Sequence, residues 1–365
     1  MSSQSPFSPL RFSRGPEMKN RFMLAPLTNL QSHADGRLSD EEFDWLTMRA
    51  RGEFGSTMTA AANVQDCGRG FPGQIGIFGD QHLEGLSRLA KGIREHESVA
   101  ILQLHHAGMR APREHIDETP VSASANEETG ARALELEEVE ALTEDFIVAA
   151  ERAERAGFDG VEVHGAHGYV LAQFLSAEIN SRIDLYGGSL ENRSRILFDV
   201  VDGIRERCGS DFIVGVRLSA ERFGVTLAEA REVAQRLMHT GKIDFLDMSL
   251  WDVFKEPAEE EFQGRSLLSY FTELDRGDVR LGAAGKISSA ADVQACLDAG
   301  LDFVLVGRAG ILHHDFPRRV REDPDFEQIA LPVTEDHLRS EGLSQVFVAY
   351  MATWGGFVET SDDSE

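Results

Sequence analysis

Short apolar runs alternate with amphipathic stretches along most of the chain, which predicts a repeated strand–helix unit. Eight runs read as strands: 22–27, 55–63, 99–105, 160–165, 212–219, 245–250, 279–284 and 303–306. Between them, Thr143 with Glu144 and Asp145 reads as the start of a helix that Gly157 closes. Residues 227–241 and 288–300 read as two more. Two longer connections interrupt the rhythm, 107–140 after the third strand and 251–264 after the sixth. Eight strands, most followed by a helix, predict a single α/β domain, a (β/α)8 TIM barrel over 1–331. A tail, 332–365, carries Tyr350, Trp354 and Phe357 and is expected to pack on the barrel or on a neighbouring subunit.

Composition narrows the partners. With 62 acidic against 36 basic residues the chain carries −26 charges, a field that repels phosphate backbones and argues against nucleic acid. Cys67, Cys208 and Cys296 lie far apart, without metal-binding spacing, and suit a reducing compartment. The polar N-terminus does not resemble a secretory signal, and no apolar run reaches the roughly 20 residues that span a bilayer. A cytoplasmic protein with no membrane partner is the expectation.

The fourth strand ends in His164, with His167 and Tyr169 in the turn behind it. Alternation puts Gly160, Glu162 and His164 on one face and Val161 and Val163 on the other, so His164 is expected to point into the barrel mouth. Two imidazoles there can grip one oxygen and stabilise developing negative charge, and a phenol can donate a proton. Glu162 is expected to hold Arg217 or a neighbouring cation. Gly282-Ala-Ala-Gly285-Lys286 and Gly307-Arg308, at the ends of strands seven and eight, suit a phosphate. Gly68-Arg-Gly70-Phe-Pro-Gly73 satisfies G-x-G-x-x-G, but no helix follows it and it reads as a loop.

The run His164-Gly-Ala-His-Gly-Tyr169, continued by Phe174-Leu-Ser and by Arg182-Ile-Asp-Leu-Tyr-Gly-Gly-Ser-Leu-Glu-Asn-Arg193, resembles the signature of the old yellow enzyme family. These are FMN-dependent ene-reductases on a (β/α)8 barrel, and the likeness extends from Lys19 to about Pro317. It implies flavin contacts from Ala25, Pro26, Leu27, Thr28, Ala61, Gln103, Arg217, Gly285, Lys286, Gly307 and Arg308. Within these, Thr28 would tune the flavin, Gln103 would meet its pyrimidine edge, and Arg217 would sit beside the negative charge of the reduced ring. Leu30, His105 and Arg110 would shape the substrate pocket; Thr28 and Leu30 stand where some relatives have Cys and Tyr, and Arg110 where others have Lys.

The resemblance further implies NAD(P)H as a transient hydride donor. Hydride would then pass from flavin N5 to the β carbon of an α,β-unsaturated carbonyl or nitro compound. His164 and His167 would hold its oxygen, and Tyr169 would protonate the α carbon. Relatives often complete the pocket from a second subunit, so a homo-oligomer is compatible with this reading. Three alternatives stay open: a flavin-barrel dehydrogenase or demethylase, a non-catalytic flavin protein, and a metal-dependent hydrolase with His105, His164 and His167 as ligands. No metal is expected.

Overall fold

Inward and outward positions on each strand separate two apolar layers, and this separation closes the sheet. The computed structural model describes residues 4–359, so the last six residues of the tail lie outside the described chain. Eight parallel strands form a closed barrel: β1 (Phe22–Leu24), β2 (Ser56–Asn63), β3 (Val99–His105), β4 (Gly160–Gly165), β5 (Ile213–Ser219), β6 (Phe245–Ser249), β7 (Arg280–Ala284) and β8 (Phe303–Val306). Each pairs with its sequence neighbours, and β1 closes on β8. Outward residues such as Leu102, Val161, Val163, Val216 and Leu246 pack under the surrounding helices. Inward ones, among them Met23, Ile101, Ile213, Phe245 and Phe303, fill the barrel floor.

Size complementarity shapes that floor. A Cβ on Gly215 would lie 2.0 Å from the Phe245 ring, and one on Gly282 would lie 2.4 Å from the Phe303 ring. Both glycines therefore make room for a large neighbour. Leu10 and Met18, bridged antiparallel, plug the floor from below with Phe12, whose ring lies 5.4 Å from Phe245.

Helices α1 (Asp40–Arg51), α2 (Leu83–Arg94), α3 (Leu136–Ala156), α4 (Leu190–Arg207), α5 (Leu227–His239) and α6 (Ala290–Asp298) surround the barrel. Their starts follow capping chemistry: Thr226 with Glu229, and Ser289 with Asp292, form reciprocal caps. The same chemistry corrects one predicted boundary. Helix α3 starts seven residues before Thr143, because Glu135 and Glu138 form its capping box; Thr143 lies inside the helix and donates to the Val139 carbonyl. Strand β1 stops at Leu24 rather than 27, since Pro26 has no N–H to offer the ladder. The connection after β3 contains a small parallel pair, Val121–Ser122 with Arg132–Ala133.

Two helices of the tail, α7 (Glu335–Ser340) and α8 (Gln345–Ala352), lie on the barrel's own wall. Phe347 packs edge-on against Trp45 at 5.4 Å, Ser344 N donates to Gln31, and Val333 bridges to Val358. No helix among the described residues is long and apolar enough to cross a membrane.

Candidate active site

A cavity of about 760 Å³ opens at the C-terminal ends of the strands. Its wall takes Pro26, Leu27 and Thr28 from beyond β1, Ala61 from β2, Gln103 from β3, His164 from β4, Arg217 from β5 and Ser249 from β6. A register shift in β2 between Met58 and Ala61 is what turns Ala61 inward: Met58 belongs to the barrel interior while Ala60 and Ala62 pack outward. A second space of about 520 Å³ continues past Gly285 to Lys286, Gly307 and Arg308, sharing Pro26, Leu27 and Arg217 with the first.

The turn after β4 builds the reactive corner. His167 and Gly168 both have positive φ, 60° and 69°, which folds the His167 ring back over His164. His167 Nδ1 then lies 3.1 Å from His164 Nε2, and His167 Nε2 lies 2.6 Å from the Ser249 hydroxyl. The Tyr169 ring stands 5.1 Å from that of His164. Burial, aided by the nearby cations, holds both imidazoles well below the ordinary histidine range, so they are neutral at neutral pH. Burial raises the Tyr169 phenol, which keeps its proton.

Beneath this corner lies a buried charged layer. Arg217 Nε pairs with Asp247 Oδ2 at 2.8 Å, while Glu162 Oε1 accepts from Gln103 Nε2 at 2.7 Å. The expected Glu162–Arg217 pair is therefore replaced by Asp247–Arg217, because Asp247 stands directly opposite Arg217 in the β5–β6 register. Burial raises Glu162 and Asp247 above the usual carboxylate range, and Asp247 pushes Glu162 further.

Not every expected residue reaches the cavity. Leu30 and His105 are absent from its wall. His105 is buried behind Tyr169, rings 4.4 Å apart, with its Nδ1 on Gln74 Nε2 at 3.0 Å. Leu30, at φ 59°, turns its backbone toward Gly73. Arg110 does line the wall; it donates to the His167 carbonyl and lies over the Tyr169 ring at 4.8 Å. Lys286 lies on the second space, largely exposed and paired with Asp252 at 2.9 Å. Sequence reading missed Asp247, Ser249, Trp251 and the tail residues Tyr350 and Trp354, all but Asp247 part of the wall. The alternation that turned Glu162 inward would also have placed Asp247 and Ser249 on one face of β6 with Phe245.

His105, His164 and His167 do not converge as metal ligands. Among the described residues His313, His337 and Glu341 do. However, Ile329 N donates to His313 Nε2, so that ring's proton sits on Nδ1 and neither nitrogen is free to ligate. Glu341 accepts from His314, and His337 Nε2 lies 2.9 Å from the Leu312 carbonyl, so this group fastens the tail.

The connected space suits a long planar cofactor with an anionic end. Among the described residues Arg308 has no carboxylate partner, and its guanidinium lies 5.8 Å from the centre of the Trp354 ring. A Cβ on Gly307 would meet nothing closer than 3.8 Å, so bare backbone faces the space. At the other end Gln103 offers an amide edge and Arg217 a buried cation. These residues fit FMN, with its ring system against Gln103, Thr28 and Arg217 and its phosphate against Gly307 and Arg308.

Fold and site thus define a barrel oxidoreductase with a nucleotide-type cofactor. The model of the NADH:flavin oxidoreductase / NADH oxidase family matches residues 5–325. A probable NADH-dependent flavin oxidoreductase of Bacillus subtilis, YqiG, is 36% identical over 327 residues, covering 87% of each chain. The old yellow enzyme homologue of Zymomonas mobilis superposes with a TM-score of 0.77 at 26% identity, over 95% of this chain and 99% of that one. Morphinone reductase in complex with tetrahydroNAD gives 0.77 at 28%, over 92% and 94%. The chain belongs to the old yellow enzyme family of FMN-dependent NAD(P)H oxidoreductases.

Proposed function

We propose that this protein is an ene-reductase acting on α,β-unsaturated carbonyl or nitro compounds. The observation that carries the reading is the pair of facing nitrogens, His164 Nε2 and His167 Nδ1, 3.1 Å apart on the cavity wall beside Tyr169. FMN, when bound, supplies the redox chemistry, accepting hydride from NAD(P)H and passing it to the alkene. The chain's own residues do the rest.

At 3.1 Å the facing nitrogens share one hydrogen bond with each other, so one donates and the other accepts. Both act as neutral donors to a substrate oxygen when each carries its proton on the facing nitrogen and the oxygen has parted them. We assign the Ser249 hydroxyl, 2.6 Å from His167 Nε2, as the donor there, which leaves the proton of His167 on Nδ1. His164 Nδ1 is buried without a partner, and an unpaired lone pair costs less there than an unpaired N–H, which leaves the proton on Nε2. Two N–H groups aimed at one point hold a carbonyl or nitro oxygen and stabilise the negative charge it gains as the double bond is reduced. Tyr169, kept protonated by burial, supplies the proton to the α carbon.

Stopped-flow separation of the half-reactions tests this. Tyr169→Phe should slow alkene reduction by about 10²-fold or more while flavin reduction by NAD(P)H keeps its rate. Equal loss in both half-reactions would overturn the assigned role. The substrate is then a small electrophilic alkene, and we place its turnover in the cytoplasm.

A further inference from the structure

The cavity has the opposite sign to the protein around it. The chain carries −26 charges, yet no acidic residue lines the main cavity, and three arginines do: Arg110, Arg217 and Arg222. The charge of Arg217 is answered by Asp247. Arg110 and Arg222, both exposed at the mouth, form no ion pair among the described residues. Each is held over an aromatic ring instead, Arg110 over Tyr169 at 4.8 Å and Arg222 over Trp251 at 4.9 Å.

Both rings neighbour His167, Trp251 at 6.3 Å and Tyr169 at 6.4 Å, so the two guanidiniums and the substrate-facing imidazole share one wall of the cavity. The mouth carries a conformational cost, since Arg222 (φ 81°), Phe223 (φ 57°) and Trp251 (φ 64°) all adopt left-handed backbone. A planar guanidinium stacked on a ring can turn its N–H edge to an oxyanion; Arg110 gives one N–H group to the His167 carbonyl and has others to offer. An acid-free mouth in a strongly acidic surface concentrates anions where field lines enter it.

We propose that Arg110 and Arg222 form an oxyanion clamp at the cavity mouth, separate from the Arg308 end, for a phosphate or carboxylate on the molecule that enters there. Two sources share this chemistry: the pyrophosphate of the nicotinamide dinucleotide and a carboxylate carried by the alkene. The first rests only on the family's hydride donor; the second also rests on the ene-reductase reading.

The FMN-loaded enzyme and its Arg222→Gln and Arg222→Lys variants separate the cases, with FMN content checked in each. Flavin reduction is followed with NADH and with 1-benzyl-1,4-dihydronicotinamide, which carries the same hydride and no phosphate. Alkene reduction is followed with an enone carboxylic acid and its methyl ester. If the dinucleotide is the ligand, Arg222→Gln weakens NADH binding about fivefold, and Arg222→Lys restores most of it. The benzyl analogue is then unchanged, and raising salt weakens NADH binding to the parent more than to the variant. If the acid is the ligand, its KM rises relative to that of the ester instead. Equal effects on charged and neutral partners, or none on either, would overturn the clamp. An enzyme that reduces no enone would sink the ene-reductase reading while leaving the NADH arm decisive.

Discussion

At the scale of single residues, the facing histidines work because they are neutral. Burial pushes His164 and His167 well below the ordinary value near 6.5, and Arg217 and Arg110 push the same way. The pH profile of kcat/KM for an enone should therefore be level through the usual histidine range, with a loss only on the acid side of it. An inflection near the ordinary histidine value would contradict this. Ser249 makes a second, narrower case. Ser249→Ala frees His167 to move its proton to Nε2, which turns the facing Nδ1 into an acceptor. Alkene reduction should fall about three- to tenfold while flavin reduction holds its rate, as read in single-turnover experiments.

Neighbouring strands place four polar groups in one buried layer, and each has a different cost of removal. Asp247→Asn strands the Arg217 cation in the barrel and should destabilise the protein by about 3–5 kcal/mol, with loss of bound flavin. Glu162→Gln should be far milder near neutral pH, because burial and Asp247 already favour the protonated form of Glu162, which an amide resembles. Thermal melts of both variants, with flavin content, check the contrast; comparable losses would contradict the pairing.

How much was legible divides along the same line. The eight strands were readable because apolar alternation is local, and only their end residues moved. The face of Glu162 was readable for the same reason. Its partner was not, since alternation turns Asp247 inward too, and only the β5–β6 register decides which carboxylate meets Arg217. His105 could be read only as pocket-lining or hydrogen-bonded, because a buried histidine held by Gln74 has the same local sequence as one that lines the cavity. The aromatic tail announced itself by composition, but nothing local says that Tyr350 and Trp354 reach the cavity.

Over the whole molecule, buried titratable groups oppose one another and set where the fold is most stable. His82, His105, His106, His164, His167 and His313 all have lowered values, with burial the first cause in each. The unfolded chain binds protons more readily at these sites, so their contribution to stability is present above the ordinary histidine value and is lost as pH falls through the window below it. His82, His106 and His313, at about 4, bound that window for their own share. Glu42, Glu162 and Asp247 run the other way, being raised by burial. The folded state holds their protons more tightly, so stability declines as pH climbs from the ordinary carboxylate range through their raised values. Asp159 and Asp199 are raised as well. The lowered carboxylates Asp80, Glu138, Asp184, Asp252, Asp315 and Glu341, however, join the six histidines on the acid side, so the loss toward acid prevails below neutrality. Above it Glu162 still titrates, and at alkaline pH Cys67, Cys208, Cys296, Tyr169 and Tyr186, all raised by burial, act in the same direction. The thermal midpoint should therefore pass through a maximum near neutral pH and fall on both sides, more steeply toward acid. A midpoint rising steadily from mildly acid to alkaline buffer would show that folding does not raise the proton affinity of Glu162 and Asp247.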